Sequence, residues 1–320
     1  MREIGGYIEF ENYDGSIYHD KAIPLNSGRN CLLYIIKSKK INKIALPYFL
    51  CDSVIDLCKK EEIEIVFYHI DKDFLPCVES LDNDIWLYIV NYYGQIKKCE
   101  IYKYIDRFNS KVIVDNAQAY FEPPIDGIDT IYTCRKFFGV SDGSFLYTNK
   151  ILDEDFPQDE SFLRMNFLLG RYERKAAEFY NEYVENNRLF AKEPIKKMSR
   201  LTMNLLKGIN YEKVKNIRTS NFQYLFDNFE DINKLKLEKS IGSFAYPLWI
   251  ENGAEVRKKL LSKNIYIPNL WPNVINELSN DFLETDLAMN VLPIPCDQRY
   301  NISDMKYILE EVRKCLNLEN

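Results

Sequence analysis

A lysine at the end of a strand-like run is the first residue whose chemistry the sequence suggests. Residues 131–145 read IYTCRKFFGVSDGSF, so Lys136 follows alternating β-formers and precedes an FFG turn. A lysine amine is activated when it is partly buried or lies beside another cation, and Arg135 is the neighbouring residue. The pattern predicts that Lys136 points into a site, either as a catalytic amine or as a salt-bridge partner.

A carboxylate occupies a similar position at the end of another apolar run. In KVIVDNAQAYF, Asp115 follows four strand-forming residues and precedes Asn116 and Gln118. Open α/β sheets bind their ligands at the carboxyl ends of the strands. Because an unpaired buried carboxylate is costly, Asp115 needs a cationic or hydrogen-bonding partner there. The alternative is that Asp115 caps the next turn.

A third feature is the segment NSGRN, residues 26–30, which directly precedes the helical pattern CLLYIIKSKK. Glycine lets a ligand approach the backbone closely, and a helix N-terminus offers free N–H groups at the positive end of the helix dipole. The segment therefore fits a phosphate site, although a plain helix N-cap explains it as well. The phosphate motifs GxGxxG and GxxxxGK[ST] are absent from the sequence.

An amine, a buried acid and a phosphate site together suit pyridoxal 5′-phosphate. Its aldehyde reacts with a lysine, its ring nitrogen needs a carboxylate to stay protonated, and its phosphate favours a helix N-terminus. Each feature alone is a weak indication. Their order on successive units of one predicted layer makes this cofactor the leading hypothesis.

The elements that position these residues alternate between helix and strand. Helical patterns at 31–40, 53–61 and 97–108 are interleaved with strand patterns at 43–47, 64–70, 84–90, 111–115, 129–134 and 143–149. This order predicts an α/β fold with a mostly parallel sheet and helices on both faces. Residues 151–160 read as an exposed loop, and residues 162–230 as one or more long helices, including RYERKAAEFYNEYVENNR as a helix with one buried face.

The remaining sequence predicts a second, smaller α+β unit. We place a large α/β domain at residues 26–230 and a small C-terminal domain at residues 231–320, with residues 1–25 packing on the small domain. The length of 320 residues accommodates both.

Composition excludes several other classes of protein. A net charge of −6 argues against a nucleic-acid partner. No apolar run approaches the ~20 residues that cross a bilayer, and the N-terminal residues lack the apolar core of a secretory signal. The eight cysteines form no CxxC pair, and only two histidines are present. We therefore expect a cytoplasmic protein with reduced thiols, no metal site and no membrane contact.

The layout resembles the DegT/DnrJ/EryC1/StrS aminotransferases, pyridoxal-phosphate enzymes of fold type I that mostly act on nucleotide-linked keto sugars. The resemblance runs from NSGRNCLL through LPYFLCDSV, IVNYYG, VDNAQAYF and CRKFFGVSDGS to LPIPCDQRY. It departs from the family where a Ser-Phe pair usually precedes the lysine, because the segment is shortened to YTCRK, and the chain is shorter than typical members.

The resemblance implies a role for each matching residue. Lys136 would bind the cofactor covalently, and Asp115 would pair with its ring nitrogen. Gln118 would lie near the ring oxygen, and Phe49 would stack on the ring. The residues implied for the phosphate are Ser27, Gly28, Arg29 and Asn30, assisted by Thr133.

Three further residues are candidates for the substrate. Arg299 could bind the carboxylate of an amino donor through its two N–H groups, or serve only structure. Trp271 could line the acceptor pocket or pack the small domain, and Tyr93 is similarly open.

The implied function is transfer of an amino group from an amino acid, glutamate or glutamine, to a keto sugar that is nucleotide-linked. Such reactions serve surface-polysaccharide or secondary-metabolite sugar biosynthesis, and the resemblance also implies a homodimer with shared active sites. A second hypothesis is a transaminase or decarboxylase acting on a small phosphorylated ketone or amino acid. A third is a non-catalytic sensor on the same scaffold. Lys136 disfavours the family's dehydratase branch, which has histidine at that position.

Overall fold

A mostly parallel sheet of seven strands forms the centre of the molecule, as the computed structural model of residues 4–318 shows. The strand order is β1-β7-β6-β5-β4-β2-β3. Strands β2 to β6 run parallel to one another, whereas β7 pairs antiparallel with both β6 and β1. The strands are β1 (Ile23–Leu25), β2 (Lys43–Pro47), β3 (Glu64–Tyr68), β4 (Ile85–Val90), β5 (Val112–Asp115), β6 (Asp129–Thr133) and β7 (Ser144–Tyr147).

Helices in the first half of the chain connect these strands and pack on the sheet. They are α1 (Gly28–Lys39), α2 (Asp52–Lys60) and α3 (Lys98–Arg107). Helix α1 contacts β1, β6 and β7, while α2 contacts β3. The strands β4 and β5 are almost entirely buried, which explains their continuous apolar sequences. The predicted α/β class and the parallel character of the sheet are confirmed.

The second half of the chain is mainly helical. Its helices are α4 (Asn166–Glu173), α5 (Tyr180–Leu189), α6 (Arg200–Lys207), α7 (Tyr211–Phe229), α8 (Gly253–Leu261), α9 (Pro272–Glu277), α10 (Leu283–Asn290) and α11 (Ile302–Cys315). A two-stranded antiparallel sheet lies among them, formed by β8 (Tyr246–Trp249) and β9 (Val291–Ile294). Short 3₁₀ segments occupy Tyr92–Gly94, Phe162–Arg164 and Ala176–Phe179.

The small sheet has a hydrophobic core of its own. Leu248 on β8 and Ile294 on β9 are fully buried in it. The C-terminal half of α7 also belongs to this core, through Phe222, Leu225 and Phe229. The N-terminal half of α7 lies in a separate core, which includes the turn after β6. Helix α7 therefore connects the two cores, and the division of the chain at residue 230 stays a prediction.

The sequence predicts that residues 1–25 pack on the small domain, but the end of this segment packs on the large sheet instead. Residues 1–3 fall outside the described part of the chain, but β1 pairs with β7 of the large sheet. His19 is buried against Tyr120 and Tyr132, whose rings lie 4.7 and 4.1 Å from its own. Burial of these rings at the sheet explains why the segment docks there.

The predicted long helix at 171–188 is interrupted. Helix α4 ends at Glu173, Arg174 is extended, and α5 begins only at Tyr180. The intervening 3₁₀ segment folds back onto α4, because Gly170 leaves room for Phe179: a Cβ at Gly170 would lie 2.3 Å from that ring. The charged sequence RYERK has helical character, but this tertiary contact decides its conformation.

None of the helices within residues 4–318 is both long and apolar enough to span a membrane.

Candidate functional site

Asp115 lies at the carboxyl end of β5, on the face of the sheet that helix α1 covers. It pairs in register with Ile131 on β6, so the two side chains point to the same face. A Cβ placed on Gly28 would lie 3.8 Å from Ile131 Cγ2, which locates the start of α1 over this face. Thr133 follows Ile131 by two residues and shares its face. The sheet thus brings Asp115, Thr133 and the N-terminus of α1 to one side.

Two donors hold the Asp115 carboxylate. The Tyr88 hydroxyl donates to Oδ2 at 2.8 Å, and the backbone N–H of Ala117 donates to Oδ1 at 2.8 Å. The residue is 9% exposed, and each oxygen retains a further lone pair for a ligand. Burial raises the pKa of the Cys31 thiol on α1, and the charge of Asp115 adds to this effect. Asp115 is therefore a fixed acceptor beneath α1.

The N-terminus of α1 offers backbone donors. Ser27 is the N-cap: its Oγ accepts from the N–H of Asn30, and its carbonyl accepts from the N–H of Cys31. Within residues 4–318, the N–H groups of Gly28 and Arg29 donate to no protein acceptor. These two amides are free to bind an anion.

Two guanidinium groups add positive charge near this helix start. Nη1 of Arg29 is buried with no hydrogen-bond partner in the described part of the chain. Burial lowers the pKa of Arg135 to about 10, Tyr183 opposes this, and the charge of Arg29 lowers it further. Arg29 lines a cavity together with Asn187 and Phe190, and both of these residues contact Arg135. Two cations in the same region repel each other unless an anion lies between them.

Asn30 has a structural function in this fold. Its Nδ2 donates to Asn26 Oδ1 at 2.8 Å and to the carbonyl of Pro194 at 2.7 Å. The side chain, 2% exposed, is thus engaged within the protein. This arrangement fixes the loop before α1 and argues against the predicted phosphate contact from the Asn30 side chain.

Lys136 lies in a turn immediately after β6 and is exposed. The turn is closed by the N–H groups of Phe137 and Phe138, which both donate to the Cys134 carbonyl at 2.9 Å. The Lys136 ammonium lies 5.6 Å from the centre of the Phe244 ring. Within the described residues, no carboxylate pairs with Lys136, so the salt-bridge alternative has no support.

Gln118 follows Asp115 by three residues and bonds the backbone of Tyr93. Its Oε1 accepts from the backbone N–H of Tyr93 at 2.8 Å, which leaves the Nε2 group for another acceptor. The Tyr93 ring stacks near Phe244, with centroids 6.5 Å apart, and Phe244 in turn flanks Lys136. Tyr93 itself is 1% exposed. Its ring is buried beside Phe244, so the predicted substrate contact would need the ring to become accessible.

Phe49 and Trp271 are packed against each other. Their ring centroids lie 4.4 Å apart, and Tyr92 contacts both. Phe49 is 1% exposed and Trp271 8%. This enclosed setting differs from the predicted stacking of Phe49 on a cofactor ring, because neither face of Phe49 is free. Trp271 packs against residues of the predicted large domain and not within the core of the small one, and its role in an acceptor pocket stays a prediction.

Arg299 is paired but half-exposed. It donates from Nε and Nη2 to the two oxygens of Asp297, at 2.7 and 2.8 Å. The neighbouring Gln298 donates from Nε2 to the carbonyl of Phe137 at 2.7 Å. The loop that carries Arg299 therefore contacts the turn that carries Lys136.

Four residues of this site were not identified from the sequence: Tyr88, Phe244, Gln298 and Arg218, whose Nη2 donates to the Phe137 carbonyl at 3.1 Å. Tyr88 could have been found, because it introduces a hydroxyl into a buried strand next to the strand of Asp115. The other three act through contacts between segments far apart in the chain, and no local pattern indicates them.

Among the described residues, no group of three or more His, Cys, Asp or Glu side chains is placed to hold a metal ion.

The fold is shared with solved structures whose sequences are only distantly similar to this one. No model of a protein family matches the chain, and no curated protein does. Solved structures do match. A DegT/DnrJ/EryC1/StrS aminotransferase from Brucella abortus is 15% identical with a TM-score of 0.62, covering 93% of this chain and 86% of that one.

Two other structures show the same likeness. The sugar aminotransferase CalS13 from Micromonospora echinospora is 12% identical, with a TM-score of 0.63 over 93% of this chain and 88% of that one. An Escherichia coli GDP-4-keto-6-deoxy-D-mannose-3-dehydratase with bound hydrated PLP is 15% identical, with a TM-score of 0.60 over 91% and 87%. The chain thus has the fold of these enzymes.

Proposed function

We propose that this protein is a pyridoxal-phosphate-dependent aminotransferase that transfers an amino group from an amino acid to a keto sugar. The observation that carries the proposal is the shared face of the sheet, where a fixed carboxylate, a helix N-terminus with free amides and the strand leading to an unpaired lysine come together. The fold likeness to sugar aminotransferases supports it.

The residues present fit the cofactor at four positions. Asp115 retains acceptor capacity beside its two donors. The amides of Gly28 and Arg29, with the unpartnered Nη1 of Arg29, fit a phosphate. Within residues 4–318, no carboxylate pairs with the Lys136 amine, and Nε2 of Gln118 can donate to a ring oxygen. The cofactor, when bound, supplies an aldehyde carbon for the amine and a ring that withdraws electrons.

Each side chain has a distinct task in the proposed reaction. Asp115 holds a proton on the ring nitrogen, and the Tyr88 hydroxyl keeps its carboxylate oriented. Once its amine is free, the Nζ atom of Lys136 would take a proton from the substrate carbon that bears the nitrogen and deliver it to the carbon two atoms away, as a general base and then a general acid. Arg299 lies in a loop that contacts the lysine turn, and it binds the carboxylate of the donor. To do so, its guanidinium must release the Asp297 carboxylate and pair with that of the donor.

A keto sugar is the proposed acceptor, nucleotide-linked as in most enzymes that the sequence resembles. One protein of this fold is a GDP-sugar dehydratase, so the fold alone does not distinguish amination from dehydration. Lys136 favours amination, because the dehydratases of the family that this sequence resembles have histidine at the position of this lysine. Glutamate or glutamine is the proposed donor.

We further propose a homodimer in the cytoplasm. The surface of α4, α5 and the 3₁₀ segments beside them exposes several large apolar side chains: Phe162, Leu163, Leu169, Tyr172, Tyr180 and Tyr183, of which Tyr172 is 93% exposed. An apolar surface of this kind favours association. It flanks Asn187 and Phe190, which contact Arg135 next to Lys136, so a second subunit there would lie close to the proposed site.

The test is a spectrum of the protein purified with pyridoxal 5′-phosphate, followed by addition of amino donors. We expect a visible absorbance band that glutamate or glutamine shifts and that Lys136→Ala lacks. A keto sugar carried on UDP, dTDP or GDP should restore the original band, and a small keto phosphate should not. A band that persists in Lys136→Ala would overturn the assignment.

The two other functions make different predictions in this assay. A transaminase or decarboxylase of small substrates would give the band but respond only to small keto phosphates or amino acids. A non-catalytic sensor would respond to no donor at all.

A further inference from the structure

Arg218 on helix α7 is a buried cation that joins three distant segments. Its side chain is 1% exposed. Nε donates to Gln298 Oε1 at 2.7 Å, Nη1 to the Ser243 carbonyl at 2.8 Å, and Nη2 to the Phe137 carbonyl at 3.1 Å. One guanidinium therefore fixes the turn after β6, the loop before β8 and the loop after β9.

Two of these contacts bear directly on Lys136. Phe137 is the next residue, and its carbonyl also accepts from Gln298 Nε2 at 2.7 Å. Ser243 precedes Phe244, whose ring centre lies 5.6 Å from the Lys136 ammonium. Arg218 thus holds both the peptide that carries the lysine and the aromatic ring beside its amine.

The chemistry of these contacts argues for more than packing. Within residues 4–318, no carboxylate oxygen lies within 4.0 Å of the Arg218 guanidinium, which has only neutral acceptors and the Phe137 ring, 4.6 Å away. Burial lowers the pKa of Arg218 to about 10, while the charge of Asp297 opposes this. A buried charge without an ionic partner stabilises a fold poorly compared with an apolar side chain of similar size. A requirement for a fixed lysine turn explains why an arginine is present.

We propose that Arg218 is a positioning residue that holds the Lys136 turn and the Phe244 ring in the geometry needed for Lys136 to react with a carbonyl compound. This inference rests on the proposed function for the identity of that compound, pyridoxal 5′-phosphate. The ordering of the turn by Arg218 is independent of the proposed function, and it can be measured without cofactor.

The experiment compares three variants with the wild type. Arg218→Met removes the donors while keeping an unbranched side chain. Gln298→Leu keeps the Arg218 bond to the Phe137 carbonyl, but it removes the second hydrogen bond to that carbonyl and the acceptor of Arg218 Nε. Arg313→Met is the matched control, because Arg313 bonds Asn228 and Asp231 on the small unit and does not contact the lysine turn. The readouts are hydrogen exchange of residues 134–140 in cofactor-free protein and the rate of covalent attachment of pyridoxal 5′-phosphate to Lys136.

We expect faster exchange in residues 134–140 and attachment slowed about 10- to 100-fold in Arg218→Met, the range that a small misplacement of a reacting group produces. Gln298→Leu should show the same changes to a smaller extent, and it decides the matter if Arg218→Met does not fold. Arg313→Met should change neither readout. Wild-type exchange and attachment in a folded Arg218 variant, or equal slowing in Arg313→Met, would overturn the inference.

Failure of the proposed function would look different. If the wild type does not attach the cofactor, the proposed function fails and hydrogen exchange alone decides: unchanged exchange in Arg218→Met overturns the inference, and faster exchange in residues 134–140 supports it.

Discussion

Acid should destabilise this protein through one buried imidazole. His19 is 1% exposed, with Nε2 2.9 Å from the Tyr120 carbonyl and Nδ1 3.2 Å from the Tyr147 hydroxyl. Because a carbonyl only accepts, Nε2 carries the proton and Nδ1 accepts from Tyr147. Burial lowers the pKa of His19 from 6.5 to about 4, although the Tyr120 carbonyl opposes this.

The direction and size of the effect follow from this pKa. Between pH 6.5 and about 4 the unfolded chain binds a proton at His19 that the folded protein does not. The contribution of neutral His19 to stability is therefore fully present above pH 6.5 and is lost as the pH falls through about 4. At about 1.36 kcal/mol for each pKa unit, the whole loss is about 3 kcal/mol, and about 2 kcal/mol of it has occurred at about pH 5.

Urea denaturation at about pH 8 and about pH 5 measures this loss, with His19→Gln as the comparison. Glutamine can donate to the Tyr120 carbonyl but does not titrate. Other groups, chiefly carboxylates, affect both proteins alike, so the free energy of unfolding should fall by about 2 kcal/mol more in the wild type. Equal losses in the two proteins would refute the neutral, buried state of His19.

Two further predictions concern stability. Tyr88→Phe removes the hydroxyl that donates to Asp115. The free energy of unfolding measured in urea should fall by about 1.5–3 kcal/mol, the usual contribution of a hydrogen bond to a charged group. An unchanged free energy of unfolding would show that the bond contributes nothing. Gly242→Ala and Gly127→Ala both place alanine at positive φ, but a new Cβ at Gly242 would lie 2.4 Å from the Phe121 ring, whereas Gly127 has open space. Thermal unfolding should show a larger loss for Gly242→Ala, by about 1–3 kcal/mol, and equal losses would contradict the contact.

Much of the fold could be predicted because local patterns and tertiary structure agree in the first half of the chain. Apolar runs such as KVIVD are buried parallel strands, and Asn-Ser-Gly before an apolar helix gives the capped start of α1. The position of Asp115 at a strand end followed directly from this, because parallel strands present their carboxyl ends at one edge.

Other features depend on contacts that no local pattern contains. The break between α4 and α5 arises where Phe179 packs on Gly170, and the N-terminal residues dock where His19 meets the sheet. Phe49 was assigned to a ligand, but its ring is enclosed by neighbours from distant segments. Arg218 was not identified, because a single arginine in a polar helix is ordinary until its partners are known.

The most direct test of the central claim is the site of covalent attachment. Wild-type protein incubated with pyridoxal 5′-phosphate is reduced with borohydride, digested and analysed by mass spectrometry. We predict one modified peptide, carrying the reduced cofactor on Lys136. Attachment to another lysine, or none at all in folded protein, would contradict the account.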